Sequence, residues 1–164
     1  MVSPPLFHVY RAAKRLRQSV RFVIRRPSLG VRGIVVNEAG AVLLVRHTYV
    51  AGWFLPGGGV KFKEAPAAAL IREMREEAGV VIHETRLIGL FPNFTRLQSD
   101  YVALFDCPDW SEADAFRPDF EIAERAFFPL EDLPSATTPA TRRRLAEWQG
   151  HIDQSSEWGD PDGL

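Results

Sequence analysis

The stretch Gly58-Gly59-Val60-Lys61-Phe62-Lys63-Glu64 runs through seven further residues into Arg72-Glu73-Met74-Arg75-Glu76-Glu77-Ala78-Gly79-Val80. Pro66 suits the first turn of a helix, where its missing N–H is no loss. Ala67, Ala68, Ala69 and Leu70 favour helix. Ala67, Leu70, Ile71 and Met74 recur at helical spacing and are expected to face a core. Gly79 stands where a left-handed residue commonly ends a helix. Upstream, Gly57, Gly58 and Gly59 allow backbone conformations closed to other residues and close approach by a ligand. The stretch therefore predicts a loop, a helix and a stop. Glu73, Glu76 and Glu77 fall at i, i+3 and i+4, on one helix face, expected to lie away from the core. Like charges at that spacing cost about 0.2–0.5 kcal/mol per pair. Glu76 and Glu77 also stand near the C-terminal end, where the macrodipole disfavours anions. A hard divalent cation is the simplest compensation, since Mg2+ is usually held by a few carboxylates together with substrate phosphates.

The pattern Gly, five residues, Glu, seven residues, Arg-Glu-apolar-x-Glu-Glu-x-Gly-apolar resembles the Nudix box. Gly58, Glu64, Arg72, Glu73, Met74, Glu76, Glu77, Gly79 and Val80 fill every fixed position. Trp53-Phe54-Leu55-Pro56-Gly57 also resembles the usual approach to the box. The resemblance implies a Nudix fold, a mixed β-sheet between helices. It also implies a pyrophosphohydrolase that cleaves a diphosphate bond in a nucleoside diphosphate linked to X, with Mg2+ or Mn2+ as cofactor. By position, Glu76 and Glu77 resemble the main metal ligands, and Glu73 a residue that binds metal or helps activate water. Gly58 is counted with them at the metal. Arg72 matches the arginine that orients the catalytic carboxylates, a task suited to a fixed guanidinium fork. Glu64 matches a position that supports the loop or a further metal. Which glutamate acts as general base stays open.

Many relatives recruit another Glu after the box. Asp119-Phe120-Glu121-Ile122-Ala123-Glu124 lies at a suitable place, and Glu121 is preferred to Glu124 as a metal ligand. By the same resemblance the substrate cleft lies between box and sheet, with Arg46, Trp53 and Phe54 as substrate-binding candidates and Tyr49 beside them. An arginine can pair with phosphate and an aromatic ring can stack on a base. Core packing is the alternative for Phe54, and loop structure for Tyr49. Phe91, Phe94 and Tyr101 suit a core better. The marks of ADP-ribose and dinucleoside polyphosphate hydrolases are absent at their usual intervals after the box. Nucleoside triphosphates, nucleotide sugars and capped RNA stay open as substrates. Two alternatives accompany the small-nucleotide reading: a pyrophosphohydrolase of RNA 5′ ends, and a nucleotide-binding regulator that does not hydrolyse.

Composition fits one soluble domain, with 164 residues, 46% apolar and 25% charged. A net charge of −1 gives no global reason for nucleic-acid or membrane binding. A lone Cys107 cannot form an internal disulfide, which favours a reducing, cytoplasmic setting. His8, His47, His83 and His151 show no zinc-ligand spacing. Charge is nevertheless uneven: residues 1–32 hold eight Lys or Arg and no acid, leaving 12 basic against 21 acidic residues beyond. Leu6, Val9, Tyr10, Ala13, Leu16, Val20 and Val23 give this segment, residues 1–28, the stripe of a basic amphipathic helix. It is expected to pack on the domain or on a second subunit in a homodimer, with RNA or a phospholipid surface as lesser partners.

The remainder divides into a catalytic domain over residues 29–150 and a polar tail over 151–164, expected to fray. Strands are expected at residues 29–36, 41–47, 80–90, 101–105 and 125–130, with a hairpin turn at Asn37-Glu38-Ala39-Gly40. Residues 107–118 read as a surface loop, and 139–148 as a helix capped by Thr137 or Thr138. Arg142, Arg143 and Arg144 read as a solvated basic face. Strands in mixed order with few helices give an α+β class, an α/β sandwich.

Overall fold

The computed structural model describes residues 27–94, 99–113, 116, 118 and 120–159. The amphipathic helix expected within residues 1–28 lies outside them. Five strands and two helices follow in order: β1 (Leu29–Ile34), β2 (Ala41–His47), α1 (Pro66–Ala78), β3 (Val80–Phe94), β4 (Ser99–Glu112), β5 (Ile122–Pro129) and α2 (Pro139–Trp148). β1 lies parallel to β4, which pairs antiparallel with β3, and β2 pairs antiparallel with β5. The Asn37–Gly40 turn forms as expected, with its amide and carbonyl groups bonded across to Ala41 and Gly40. Beyond the single bridge Val36–Val42, however, its two arms join different sheets.

Alternation along the strands builds two cores. Val31 and Val35, with Leu43 and Val45, join Leu70 and Met74 of α1. Ile34, Val42 and Leu44 point the other way, to Trp53, Phe91 and Leu145 of α2. The strands are thus sandwiched between the helices, and β2 is apolar on both faces because both are covered. Gly33 permits the close approach of α1: a Cβ there would lie 3.2 Å from Leu70 and Met74 side-chain atoms.

The box helix forms as its sequence dictates, with Pro66 in the first turn and Gly79 left-handed at φ 62°. Its core stripe is shifted from expectation. Ala69, Leu70, Met74 and Ala78 are buried, whereas Ile71 is exposed. Glu77 continues the stripe, three residues after Met74 and seven after Leu70, so it turns inward with them.

Other boundaries also moved. β4 runs through the expected loop to Glu112, because Cys107 and Trp110 point inward while Pro108, Asp109 and Ser111 face out. Trp110 donates its indole N–H to the Val36 carbonyl at 3.0 Å. β3 continues past Leu90 to Phe94. Phe91 is core, but Phe94 and Tyr101 are exposed and meet edge-on at 6.2 Å. In the described part of the tail, Trp158 packs on the second core of the domain and its amide donates to the Pro92 carbonyl.

The arginine cluster is only partly a solvated face. Arg144 is fully buried over the Phe91 ring, its guanidinium 4.2 Å from the centroid and paired with Glu147 at 2.7 Å. Arg142 donates to the carbonyls of Leu133, Pro134 and Thr137. Thr138, not Thr137, caps α2 by accepting from the Thr141 amide.

Candidate active site

Three backbone bonds fix the glycine loop against β1: the Val31 amide donates to the Gly58 carbonyl at 2.9 Å, the Gly33 amide to the Pro56 carbonyl at 3.0 Å and the Val60 amide to the Leu29 carbonyl at 2.9 Å. Gly57, at φ 134°, passes so close to β1 that a Cβ would lie 2.2 Å from the Val31 oxygen. The loop is thereby pressed against β1, and its Gly57 amide donates to Glu77 of α1.

Arg72 organises one side of the site. Its Nε and Nη2 donate to the two oxygens of Glu64, both at 2.8 Å. Nη1 donates to Glu73 at 2.5 Å and to Glu76 at 3.2 Å, and Nη2 reaches the Gly59 carbonyl at 3.1 Å. One planar fork therefore ties three carboxylates to the loop, a geometry that a lysine cannot copy. The Arg72 hydrogen bonds, joined by the Lys61 amide at 2.8 Å, hold the Glu64 carboxyl down to about 2. Glu64 stays ionised and pins the loop to the helix.

Glu77 is set differently. It is 6% exposed and accepts the Gly57 amide at 3.0 Å. Burial pushes its carboxyl up to about 7, against the opposing pull of that amide and of Arg32. Arg32, on β1, donates to the carbonyls of Leu55 and Gly57, and Glu77 offsets part of the cost of burying its charge. Composition gave no hint of Arg32; its place on the strand beneath the loop decides its role.

The strand pairing brings two further residues to Glu77. β2 ends at His47 opposite Ile122, and the register shifts between Arg46 and His47. The Thr48 amide then donates to the Glu121 carbonyl at 2.9 Å. As a result His47, Glu77 and Glu121 hold side-chain ligand atoms all within 4.8 Å of one another. Glu121 also shares a hydrogen bond with Tyr49. His47 is buried, and burial followed by Arg32 disfavours its charged form. Sequence spacing missed this histidine, because β2 and β5 meet only in the tertiary fold.

These groups line a cleft of about 380 Å3, floored by Gly57, Gly58 and Gly59 and walled by Arg32, His47, Tyr49, Glu77 and Glu121. The three expected substrate residues do not line it. Arg46 pairs with Glu124 at 2.7 Å on the exposed side of β2. Trp53 is buried in the second core, edge-on to Phe128 at 4.8 Å. Phe54 packs on the first core, edge-on to His47 at 5.3 Å. A larger open hollow of about 700 Å3 beside the Asn37–Gly40 turn shares no lining residue with the cleft. Glu38, Asp109 and Glu112 line it and would repel an anion.

The donor set fits a divalent cation. Arg72 gathers Glu64, Glu73 and Glu76, while the buried Glu77 lies with Glu121 and His47. A Cβ on Gly58 would stand 2.6 Å from the Glu73 carboxylate, so the loop backbone reaches that side chain directly. Oxygen donors of this kind suit a hard ion.

The NUDIX domain model matches residues 26–149. Over 69 residues the chain is 38% identical to a MutT-like protein of Streptomyces ambofaciens, covering 42% of this chain and 45% of the relative. Over 64 residues it is 41% identical to an RNA pyrophosphohydrolase of Marinomonas sp., covering 39% of this chain and 38% of that one. The chain thus spans less than half the length of these curated relatives. Among solved structures, the MutT NUDIX hydrolase of Burkholderia pseudomallei superposes with a TM-score of 0.66 at 25% identity, covering 74% of this chain and 97% of that one. A NUDIX hydrolase from Nitrosomonas europaea gives 0.67 at 18% identity, over 85% and 96% of the two chains, and shares the fold. No helix among the described residues is long and apolar enough to cross a membrane. With the box complete in sequence, the helix sandwich in place and the domain model matched across most of its length, the chain belongs to the Nudix family.

Proposed function

We propose that the protein is a divalent-metal-dependent pyrophosphohydrolase that cleaves a diphosphate bond in a small nucleoside diphosphate derivative of the nucleoside triphosphate or nucleotide-sugar type. The observation that carries this reading is the Arg72 fork holding Glu64, Glu73 and Glu76 at the glycine loop while Glu77 takes the Gly57 amide. A bound Mg2+ or Mn2+ supplies charge neutralisation at the phosphate oxygens and lowers the pKa of water. Glu73, Glu76 and Glu77 would hold it, with Gly58 and Glu121 beside them. Arg72 fixes the carboxylates, so that little reorganisation is needed as charge develops. Arg32, which lines the cleft, contributes positive charge toward a phosphate. Tyr49, 70% exposed at the cleft mouth, is better placed than Trp53 to stack on a base.

The test is hydrolysis of a panel of nucleoside triphosphates, nucleotide sugars, ADP-ribose and dinucleoside polyphosphates with Mg2+, then Mn2+. Glu76→Gln and Glu77→Gln should each lower turnover by orders of magnitude with the fold retained. Near wild-type turnover in both would refute the site. Nucleotide binding without metal-dependent turnover would support the regulator instead.

A second reading, cleavage at RNA 5′ ends, is favoured by the relatives named RNA pyrophosphohydrolases and by the acid-free basic stretch 1–32. Removing residues 1–28 should then reduce RNA hydrolysis far more than small-nucleotide hydrolysis, and affinity should fall steeply with salt. Equal effects on both substrates would count against it. The lone Cys107, a buried thiol, supports a reducing, cytoplasmic setting.

A further inference from the structure

We propose that the metal centre includes a nitrogen donor, His47, and therefore takes a first-row transition ion such as Mn2+ or Co2+ in preference to Mg2+. This rests on the reading of the cleft as a metal-dependent site and specifies which ion it selects.

Three observations converge. The ligand atoms of His47, Glu77 and Glu121 lie within 4.8 Å of one another, a spread that one ion can bridge. His47 is only 7% exposed, and its Nδ1 is buried with no hydrogen-bond partner. An orphaned ring nitrogen at that depth is costly unless something accepts its interaction. The ring is also wedged in place: its centroid stands 5.2 Å from that of Tyr49 and 5.3 Å from that of Phe54. These neighbours pack the ring, which has a nitrogen close to the Glu77 and Glu121 carboxylates.

The chemistry follows from the donor set. Oxygen-only sites suit Mg2+, a hard ion that keeps several waters. An imidazole added to carboxylates shifts preference toward softer first-row ions, in the order in which nitrogen affinity rises from Mn2+ to Co2+ and beyond. Glu76, with its side chain more than half exposed and on the Arg72 side, belongs to the other edge of the site. Glu77 accepts the Gly57 amide and also lies with His47 and Glu121.

The experiment is pulsed EPR on the full-length protein loaded with Mn2+, once with natural-abundance histidine and once with 15N-imidazole histidine. Electron spin echo modulation typical of directly bound imidazole nitrogen is expected, converting to the 15N pattern on labelling and vanishing in His47→Ala. Calorimetry with Mg2+, Mn2+ and Co2+ should show His47→Ala losing at least ~10-fold in Co2+ affinity, the scale seen when a metal site loses a supporting group. Its Mg2+ affinity should change much less. Mn2+ bound to the wild type without histidine nitrogen modulation would overturn the inference while leaving the carboxylate site and the hydrolase reading standing. No Mn2+ binding at all would also overturn it, and Mg2+-supported hydrolysis would then decide the hydrolase reading independently. The wild-type spectra need no variant, so a poorly folding His47→Ala would not shield the inference.

Discussion

Replacing Gly58 by alanine should disable the site without unfolding the protein, whereas replacing Gly57 should destabilise the fold itself. Gly58 does not adopt a positive φ, so its backbone tolerates a side chain. The obstacle is Glu73, whose Cδ and Oε2 lie 2.6 Å from where the new Cβ would stand, with Oε1 at 2.8 Å. Restoring ordinary contact requires the carboxylate to retreat by roughly 1 Å, a displacement that can lower catalysis about 10²-fold. The stability cost should stay near ~1 kcal/mol, since what is lost is a partly exposed ion pair with Arg72. Gly57 differs on both counts. Its φ of 134° strains any L side chain, and the obstacles are backbone atoms, Val31 oxygen at 2.2 Å and Arg32 Cα at 3.0 Å. Strain and backbone displacement together place Gly57→Ala in the upper range of single substitutions, roughly 3–5 kcal/mol. Initial-rate hydrolysis with saturating Mg2+ and thermal unfolding should therefore separate the two variants. Gly57→Ala should lower Tm by roughly 10 °C, and Gly58→Ala by no more than about 4 °C. Wild-type kcat/KM in Gly58→Ala would refute the contact between loop and Glu73 as a catalytic constraint. So would a Gly58→Ala that unfolds as readily as Gly57→Ala.

Three further outcomes are expected. Arg72→Lys keeps the charge but loses the fork that joins Glu64, Glu73 and Glu76, so metal affinity or activity should fall about 10–100-fold, read by calorimetry and initial rates. In metal-free protein Glu77 binds its proton more tightly when folded, at about 7 against an ordinary 4.5. Its contribution is thus fully present below about pH 4.5 and is lost as pH rises through 7, a swing of about 3 kcal/mol. Urea unfolding of Glu77→Gln should lack that swing, and an unchanged pH profile would contradict the burial of the carboxyl. Trp158→Ala should cost about 2 kcal/mol in urea unfolding, because Trp158 packs beside Phe91 and Arg144. An effect under about 0.5 kcal/mol would mean that the tail does not dock in solution.

The box helix and the terminal helix were legible in the chain because their signals are local. Pro66 with Gly79, and Thr138 with Pro139, act through their own turns, and the structure keeps all four in those roles. The box also named the family and the Arg72, Glu73, Glu76 and Glu77 set, since fixed spacing on one helix is a property of sequence. What the chain by itself left open depends on contacts between distant segments. Glu77 is indistinguishable from Glu76 as a letter, yet it lies on the stripe of Leu70 and Met74 and is drawn inward by the sheet packed there. His47 becomes a neighbour of Glu121 only through the register of β2 on β5, 74 positions apart in chain order. Residues 107–112 looked polar enough for a loop, but β3 supplies the hydrogen-bond partners that hold them as strand. Arg144 looked like surface charge until Phe91 and Trp158 closed over it. Local sequence determined where the helices start, stop and bear carboxylates. Tertiary packing decided which carboxylate is desolvated and which histidine joins it, because burial and proximity are properties of the assembled sheet, not of any one segment.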